Sequence, residues 1–243
     1  MICTPRLIAL ASALILIGGA APTTPLVLWA WERPEDLAFA GPGVTIAVLA
    51  GTVTLRGPEV FARPRLQPAK VGPSQRVAGV VHVEIDRTQP PSWSESQRAR
   101  TAALVLGLLR DSRFVEVQID FEVRASQRGV LLDLVRDVRD GLPAERHLSM
   151  TALASWCETE TWLDAAAADE IVPMLFRMGQ NGEKLRQRLA TGGDFRLARC
   201  RTAIGVATDT PPSRLPAGRR IWLFNPRPWT PDALDAIRDR LPA

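Results

Sequence analysis

Eight short runs rich in β-branched and aromatic residues punctuate the chain, and their spacing constrains the fold more than any other feature. They are residues 25–31 (PLVLWAW), 44–50 (VTIAVLA), 77–86 (VAGVVHVEID), 114–120 (FVEVQID), 148–156 (LSMTALASW), 170–178 (EIVPMLFRM), 202–209 (TAIGVATD) and 220–226 (RIWLFNP). Each has the length and composition of a strand. Helical patterns follow several of them. Ser94 to Asp111 carries apolar residues at helical spacing, with Ser94 and Gln97 as a capping box. Gln127 to Asp140 puts Leu131, Leu132, Val135 and Val138 on one face, and Asn181 to Leu189 is a shorter amphipathic stretch. Thr230 as N-cap and Pro231 at the first helical position open a last helix.

Strand alternating with helix is the pattern of a parallel α/β protein. Eight strands in roughly 220 residues predict a small (β/α)8 barrel, near the lower end of that fold's size range. The rival is an open doubly wound sheet. It would usually carry a Gly-rich first turn for phosphate, and the turn from Glu32 to Asp36 has no Gly. Two crossovers depart from the pattern. After the second run the chain is rich in Pro and Gly and reads as a hairpin turning at Gly57–Pro58. Before the last run, residues 210–218 (TPPSRLPAG) are too short and Pro-rich for a helix. Helices two and seven are therefore expected to be replaced or missing.

The N-terminus sets the compartment. Leu7–Ala21 is an apolar run of signal-peptide length, preceded by Arg6 and ending in Gly18, Gly19, Ala20 and Ala21. It is short for a comfortable membrane span. Residues 1–21 are expected to be a signal peptide or an uncleaved N-terminal anchor, and residues 22–243 the barrel domain. Either way the body is expected in the periplasm or outside the cell, touching a membrane only through an uncleaved segment. The net charge of +4 is almost all Arg, with Lys only at 70 and 184, and the basic residues are scattered among acids. A nucleic-acid partner would call for a clustered basic face, so none is expected. Beyond Cys3, two cysteines remain, Cys157 and Cys200. Cys157 follows the fifth run, at the top of a barrel, and Cys200 precedes the seventh, near the bottom. A strand length of ~17–20 Å would separate them, beyond disulfide reach, so two free thiols are expected.

In such a barrel, functional side chains sit at the C-terminal ends of the strands. Those ends supply Trp31, Asp86, Asp120, Glu122, Trp156, Arg177, Asp209 and Asn225. The third run alternates His82, Glu84 and Asp86 with Val81, Val83 and Ile85; the fourth alternates Gln118, Asp120 and Glu122 with Val117, Ile119 and Phe121. The apolar faces should meet outer helices and the polar faces the interior and mouth. Carboxylates crowded in one low-dielectric place cannot all ionise cheaply, which makes an acid and a base from one residue type. Asp120 and Glu122 should lie about 6.5–7 Å apart between Cα atoms, with Glu84 or Asp86 about 4.8 Å away on the next strand. Such spans overlap the carboxyl separations of glycoside hydrolases. A purely structural network, with Arg87, Arg124 and Arg177 as partners, is the alternative.

The strings VVHVEIDRTQ (80–89), VQIDFEVRASQR (117–128), LSMTALASWC (148–157) and IVPMLFRMG (171–179) resemble an uncharacterised bacterial family carried under a domain-of-unknown-function label. That family is grouped with the glycoside-hydrolase-like TIM barrels. The resemblance covers most of the chain after residue 21 and implies a barrel related to sugar-cleaving enzymes. Asp120-Phe121-Glu122 is similar to the acidic D-x-E that chitinase-type hydrolases carry on their fourth strand. The resemblance implies Glu122 as general acid, with Asp120 orienting a substrate acetamido group. Two departures stand out. Gln118 occupies the place of a further Asp, and Met174-Leu175-Phe176 has Phe where the pattern has Tyr, a residue this chain lacks.

Seven Trp fall near strand ends or the loops after them, and Trp31, Trp93 and Trp156 are the candidates for stacking on sugar rings. Arg177, Asp209 and Asn225 are expected as further substrate-binding groups. His82 and His147 are the only histidines and show no zinc spacing, so neither a metal nor another cofactor is expected. His82 reads as a satisfied interior residue. The expectation is an exported carbohydrate-handling barrel with Glu122 as proton donor and Asp120, Glu84 or Asp86 assisting. The alternatives are a non-catalytic saccharide-binding barrel and a structural envelope component.

Overall fold

Val, Ile and Leu at alternate positions give the strands one apolar face each, and closing the sheet is what buries both faces at once. The structure, a computed structural model, describes residues 25–159, 161–179 and 182–241. The segment Leu7–Ala21 lies outside the described residues. The strands in chain order are β1 (Leu26–Ala30), β2 (Glu35–Asp36), β3 (Val44–Arg56), β4 (Glu59–Pro64), β5 (Ala69–Lys70), β6 (Val77–Ile85), β7 (Phe114–Phe121), β8 (His147–Leu153), β9 (Glu170–Met174), β10 (Ala203–Ala207) and β11 (Arg220–Phe224). The helices are α1 (Glu95–Leu108), α2 (Arg128–Gly141), α3 (Trp156–Thr159), α4 (Gly182–Ala190) and α5 (Pro231–Arg238). Strands β1, β3, β6, β7, β8, β9, β10 and β11 pair in that order, all parallel, and β11 pairs with β1. This is a closed (β/α)8 barrel.

The helices form where the pattern placed them. Ser94 caps α1 by accepting from the Gln97 N–H, while the Gln97 side chain turns back to accept from the Trp93 N–H. Thr230 caps α5, with Pro231 in its first turn. Leu131, Leu134, Val135 and Val138 of α2 are fully buried against the barrel. The second crossover is the expected hairpin: β4 runs antiparallel to β3, and the turn uses Gly57 at φ +50°. Gly51 sits at a register shift in β3, where a Cβ would stand 2.6 Å from the Arg63 carbonyl oxygen, so only Gly lets the hairpin arm return so closely. The seventh crossover has no helix among the described residues. The first and fifth are also reduced. One holds a 3-10 turn at Ala38–Ala40, the other α3 and a 3-10 turn at Trp162–Ala165. No helix among the described residues is long and apolar enough to cross a membrane.

The structure corrects the expectation of free thiols: Cys157 and Cys200 form a disulfide, their Cα atoms 6.0 Å apart. The expectation assumed a full strand length between the two levels. Instead β10 has five residues, and Gly205 at its middle pairs with Met174, the last residue of β9, which pairs with Leu153, the last of β8. The stagger of a closed barrel thus lifts the start of β10 toward the end of β8. The Cys157 carbonyl accepts from the Leu197 N–H, bringing the chain before β10 alongside the turn after β8. Both cysteines are fully buried in the core outside the barrel. The bridge spans a sequence separation of 43, for which chain entropy gives about 4 kcal/mol of stabilisation. Replacing both cysteines by Ser, or reducing the protein, is expected to lower the unfolding free energy by a comparable amount, read as a fall in the denaturation midpoint. Mass spectrometry of the unreduced protein should show the loss of the two thiol hydrogens.

Candidate active site

The barrel interior is built in layers, and its floor is ionic. Arg220 at the start of β11 donates to both oxygens of Glu116 on β7, at 2.7 and 2.6 Å, and lies 3.6 Å from Glu170 on β9. The Trp222 indole donates to Glu170 at 3.1 Å, and His147 stands 3.8 Å from Glu116. Burial pushes the Glu170 carboxyl above its ordinary pKa, against the opposing Arg220 charge and the Trp222 hydrogen bond. Above the floor, Trp29 donates to Gln118 at 2.7 Å, and Gln118 donates to Ser149 at 3.1 Å. Gln118 is fully buried, and its amide places no charge here and uses both its donor and its acceptor. With Trp29 against Trp222 at 5.3 Å, this layer closes the barrel beneath the mouth.

The mouth opens over the C-terminal ends of the strands. His82 and Asp120 are register partners on β6 and β7. The His82 Nδ1 lies 2.7 Å from one Asp120 oxygen, and the other Asp120 oxygen accepts from the Thr151 hydroxyl at 2.7 Å. Trp31 meets the His82 ring edge to face at 5.9 Å, and Phe176 stacks on Phe224 at 5.2 Å. The Trp31 indole N–H is buried without a hydrogen-bond partner among the described residues. Arg33 is fixed by Glu35 and by the carbonyl of Pro226. Half-exposed Glu122 lies just past the end of β7, 3.8 Å from Arg177. Together these groups enclose a chamber of about 280 Å³. A second, more polar chamber of about 350 Å³ adjoins it, lined by Glu84, Asp86, Arg87 and Arg124. His82, Glu122 and Arg177 line both.

Burial would lower the pKa of His82. The hydrogen bond to Asp120 and the charges of Asp120, Glu84 and Glu122 outweigh it, so the imidazole is held above its ordinary value. Asp86 is pushed down to about 2 by hydrogen bonds from the Thr88 hydroxyl and N–H, helped by Arg56 and the Gln89 N–H.

The expected residues therefore divide. Asp120, Glu122, Trp31 and Arg177 converge on the aromatic chamber. Glu84 and Asp86 stand in the second chamber, where Glu84 accepts from Thr54 and Asp86 from Arg56, both on the outer part of β3. Trp93 does not reach the mouth. It precedes α1, donates to Asp133 on α2, and lines a groove between those helices. Trp156 is buried against Trp162 in the outer core. Asp209 is exposed on the loop after β10, outside both chambers. Asn225 is buried, donating to the Pro228 carbonyl and accepting from Thr208. Sequence reasoning passed over His82, Phe176 and Phe224 as site residues. The signal for His82 was present in its register with Asp120. No group of three or more potential metal ligands gathers among the described residues.

The geometry defines a TIM barrel: eight parallel strands with a carboxylate- and aromatic-lined chamber at their C-terminal ends. Among solved structures it is similar to a crystal structure assigned as a chitinase A from Streptomyces coelicolor, with a TM-score of 0.57 and 12% identity, covering 89% of this chain and 96% of that one. At that identity the likeness is one of fold. No family model matches the chain, and no curated protein matches it in sequence. The floor generates a prediction. Arg220→Ala would leave the Glu116 and Glu170 carboxylates buried without their cation. It is expected to cost about 3–5 kcal/mol, read by urea denaturation at neutral pH.

Proposed function

We propose that this protein is an exported barrel that acts on a carbohydrate at its mouth, with Glu122 as the proton donor. The observation that carries this reading is the meeting of Trp31, Phe176 and Phe224 with Asp120 and Glu122 in one chamber at the C-terminal strand ends. Aromatic faces present rigid apolar surface to the C–H faces of a sugar ring. Arg33 and Arg177 supply donors for its hydroxyls. The chamber is near the lower end of the ~300–1,000 Å³ range of ligand pockets, which suits one ring rather than a chain. The likeness of fold to an assigned chitinase supports the same class. Phe176 brings no hydroxyl to the mouth, so the acetamido-assisted route implied by the chitinase pattern lacks a group that would steady its intermediate. Export is supported by Leu7–Ala21 and by the disulfide, since such bonds persist in oxidising compartments. The mature protein is then either released or held at the membrane by residues 7–21.

A second reading, a saccharide-binding barrel without turnover, is favoured by one observation. Glu122 is half-exposed and paired with Arg177 rather than enclosed. Incubation with chitooligosaccharides and envelope glycans separates the two. For the enzyme, Glu122→Gln should cut product release by about 10²–10⁴-fold while the protein stays on the glycan, and Trp31→Ala should weaken retention. Retention without cleavage, unchanged in Glu122→Gln, supports the binder. No retention on any glycan sinks both readings and leaves a structural envelope component.

A further inference from the structure

The geometry points to His82 as the base that takes a proton from the attacking water, with Asp120 as its positioning residue; this rests on the hydrolytic reading of the mouth. Three observations carry it. First, each Asp120 oxygen has a protein partner: one is 2.7 Å from His82 and the other accepts from Thr151, so the carboxylate is fixed in place against the imidazole. Second, the His82 ring uses only Nδ1. Its Nε2 has no hydrogen-bond partner among the described residues, is absent from the buried unpaired atoms, and belongs to a side chain 34% exposed. A carboxylate accepting at Nδ1 fixes the proton there and leaves Nε2 with its lone pair free. Third, His82 lines both chambers, as Glu122 and Arg177 do, so it stands at the seam where a bond joining two ligand units would lie.

The other acids of the mouth are less suited. Asp86 is held by Arg56 and Thr88, and Glu84 faces only the outer chamber. The groups facing His82 are Glu84 from its own strand, Asp120 from β7 and Glu122 just after it, Thr151 from β8, Trp31 and Arg33 after β1, and Arg177 after β9. The step balances with water alone. The Nε2 lone pair accepts a proton as the water oxygen bonds to the anomeric carbon. The bond from that carbon to the leaving oxygen breaks with its electron pair, and that oxygen takes the Glu122 proton. Solvent then removes the imidazolium proton and reprotonates Glu122. Because His82 is held above its ordinary pKa of 6.5, its basic form grows as pH rises past that value.

Two experiments test this on the full-length protein. With only two histidines, 15N NMR reads His82 directly. The expected result is a proton on Nδ1 in the neutral form and a titration midpoint above 6.5 that falls in Asp120→Asn. An Nε2–H tautomer overturns the assignment. The second uses 4-nitrophenyl glycosides, whose leaving group needs no proton. On these substrates His82→Ala should lose about 10²-fold in kcat. Azide, which attacks without shedding a proton, should restore His82→Ala. Full activity in His82→Ala, or no rescue by azide, overturns His82 alone. A wild-type protein that neither binds nor cleaves any glycan overturns the carbohydrate reading and His82 with it.

Discussion

A guanidinium clamped between two carboxylates beneath an indole sets the frame for everything above it. Arg220 joins β11 to β7 through Glu116 and approaches Glu170 on β9. It also faces the Trp222 ring, 4.9 Å from its centroid. Such a group is stable in a low-dielectric interior only if its partners are positioned for it. The strands that supply those partners are held at fixed relative heights. That register places Trp29 and Gln118 in the next layer and His82, Asp120 and Thr151 in the one above. The mouth is therefore positioned from below, by Arg220, Glu116 and Glu170, which line neither chamber.

Much of this was legible in the residues. The period-two pattern fixed the strands and their inward faces, and closure of eight of them followed from length and from the missing Gly-rich turn. The hairpin at Gly57–Pro58 was readable because Pro and Gly break both regular patterns. Asp120 and Glu122 were readable as mouth residues because a strand's end and its inward parity together locate a side chain. What failed depended on quantities a sequence does not carry. The Cys157–Cys200 bridge hinges on shear, the stagger accumulated around the closed ladder. Trp93 and Trp156 lie near strand ends in sequence, yet their rings turn to the outer layer. Glu84 and Asp86 have the right parity, but Glu84 lies near the end of β6 and Asp86 just past it, so they line the adjoining chamber. His82 was visible and undervalued, since a lone histidine shows its role only when its neighbour across the ladder is known.

The barrel also shows how one functional group, the carboxyl, takes several characters. Asp86 is held ionised by a ring of donors, Glu170 is pushed toward its neutral form by burial, and Asp120 gives both oxygens to neighbours. Identical chemistry in the sequence is thus divided by environment into fastener, floor and support.

The hairpin has a geometric consequence. The edge of β3 that pairs with β1 as far as Val48 is taken over from Gly51 onward by β4, so one side of the barrel rises into a parapet while the opposite side stops low. A long, stiff polymer cannot drop straight down onto a rim of uneven height. It must slide in over the low side and rest against the tall one, so a free chain tip or a kink is easier to seat than the middle of a straight fibre.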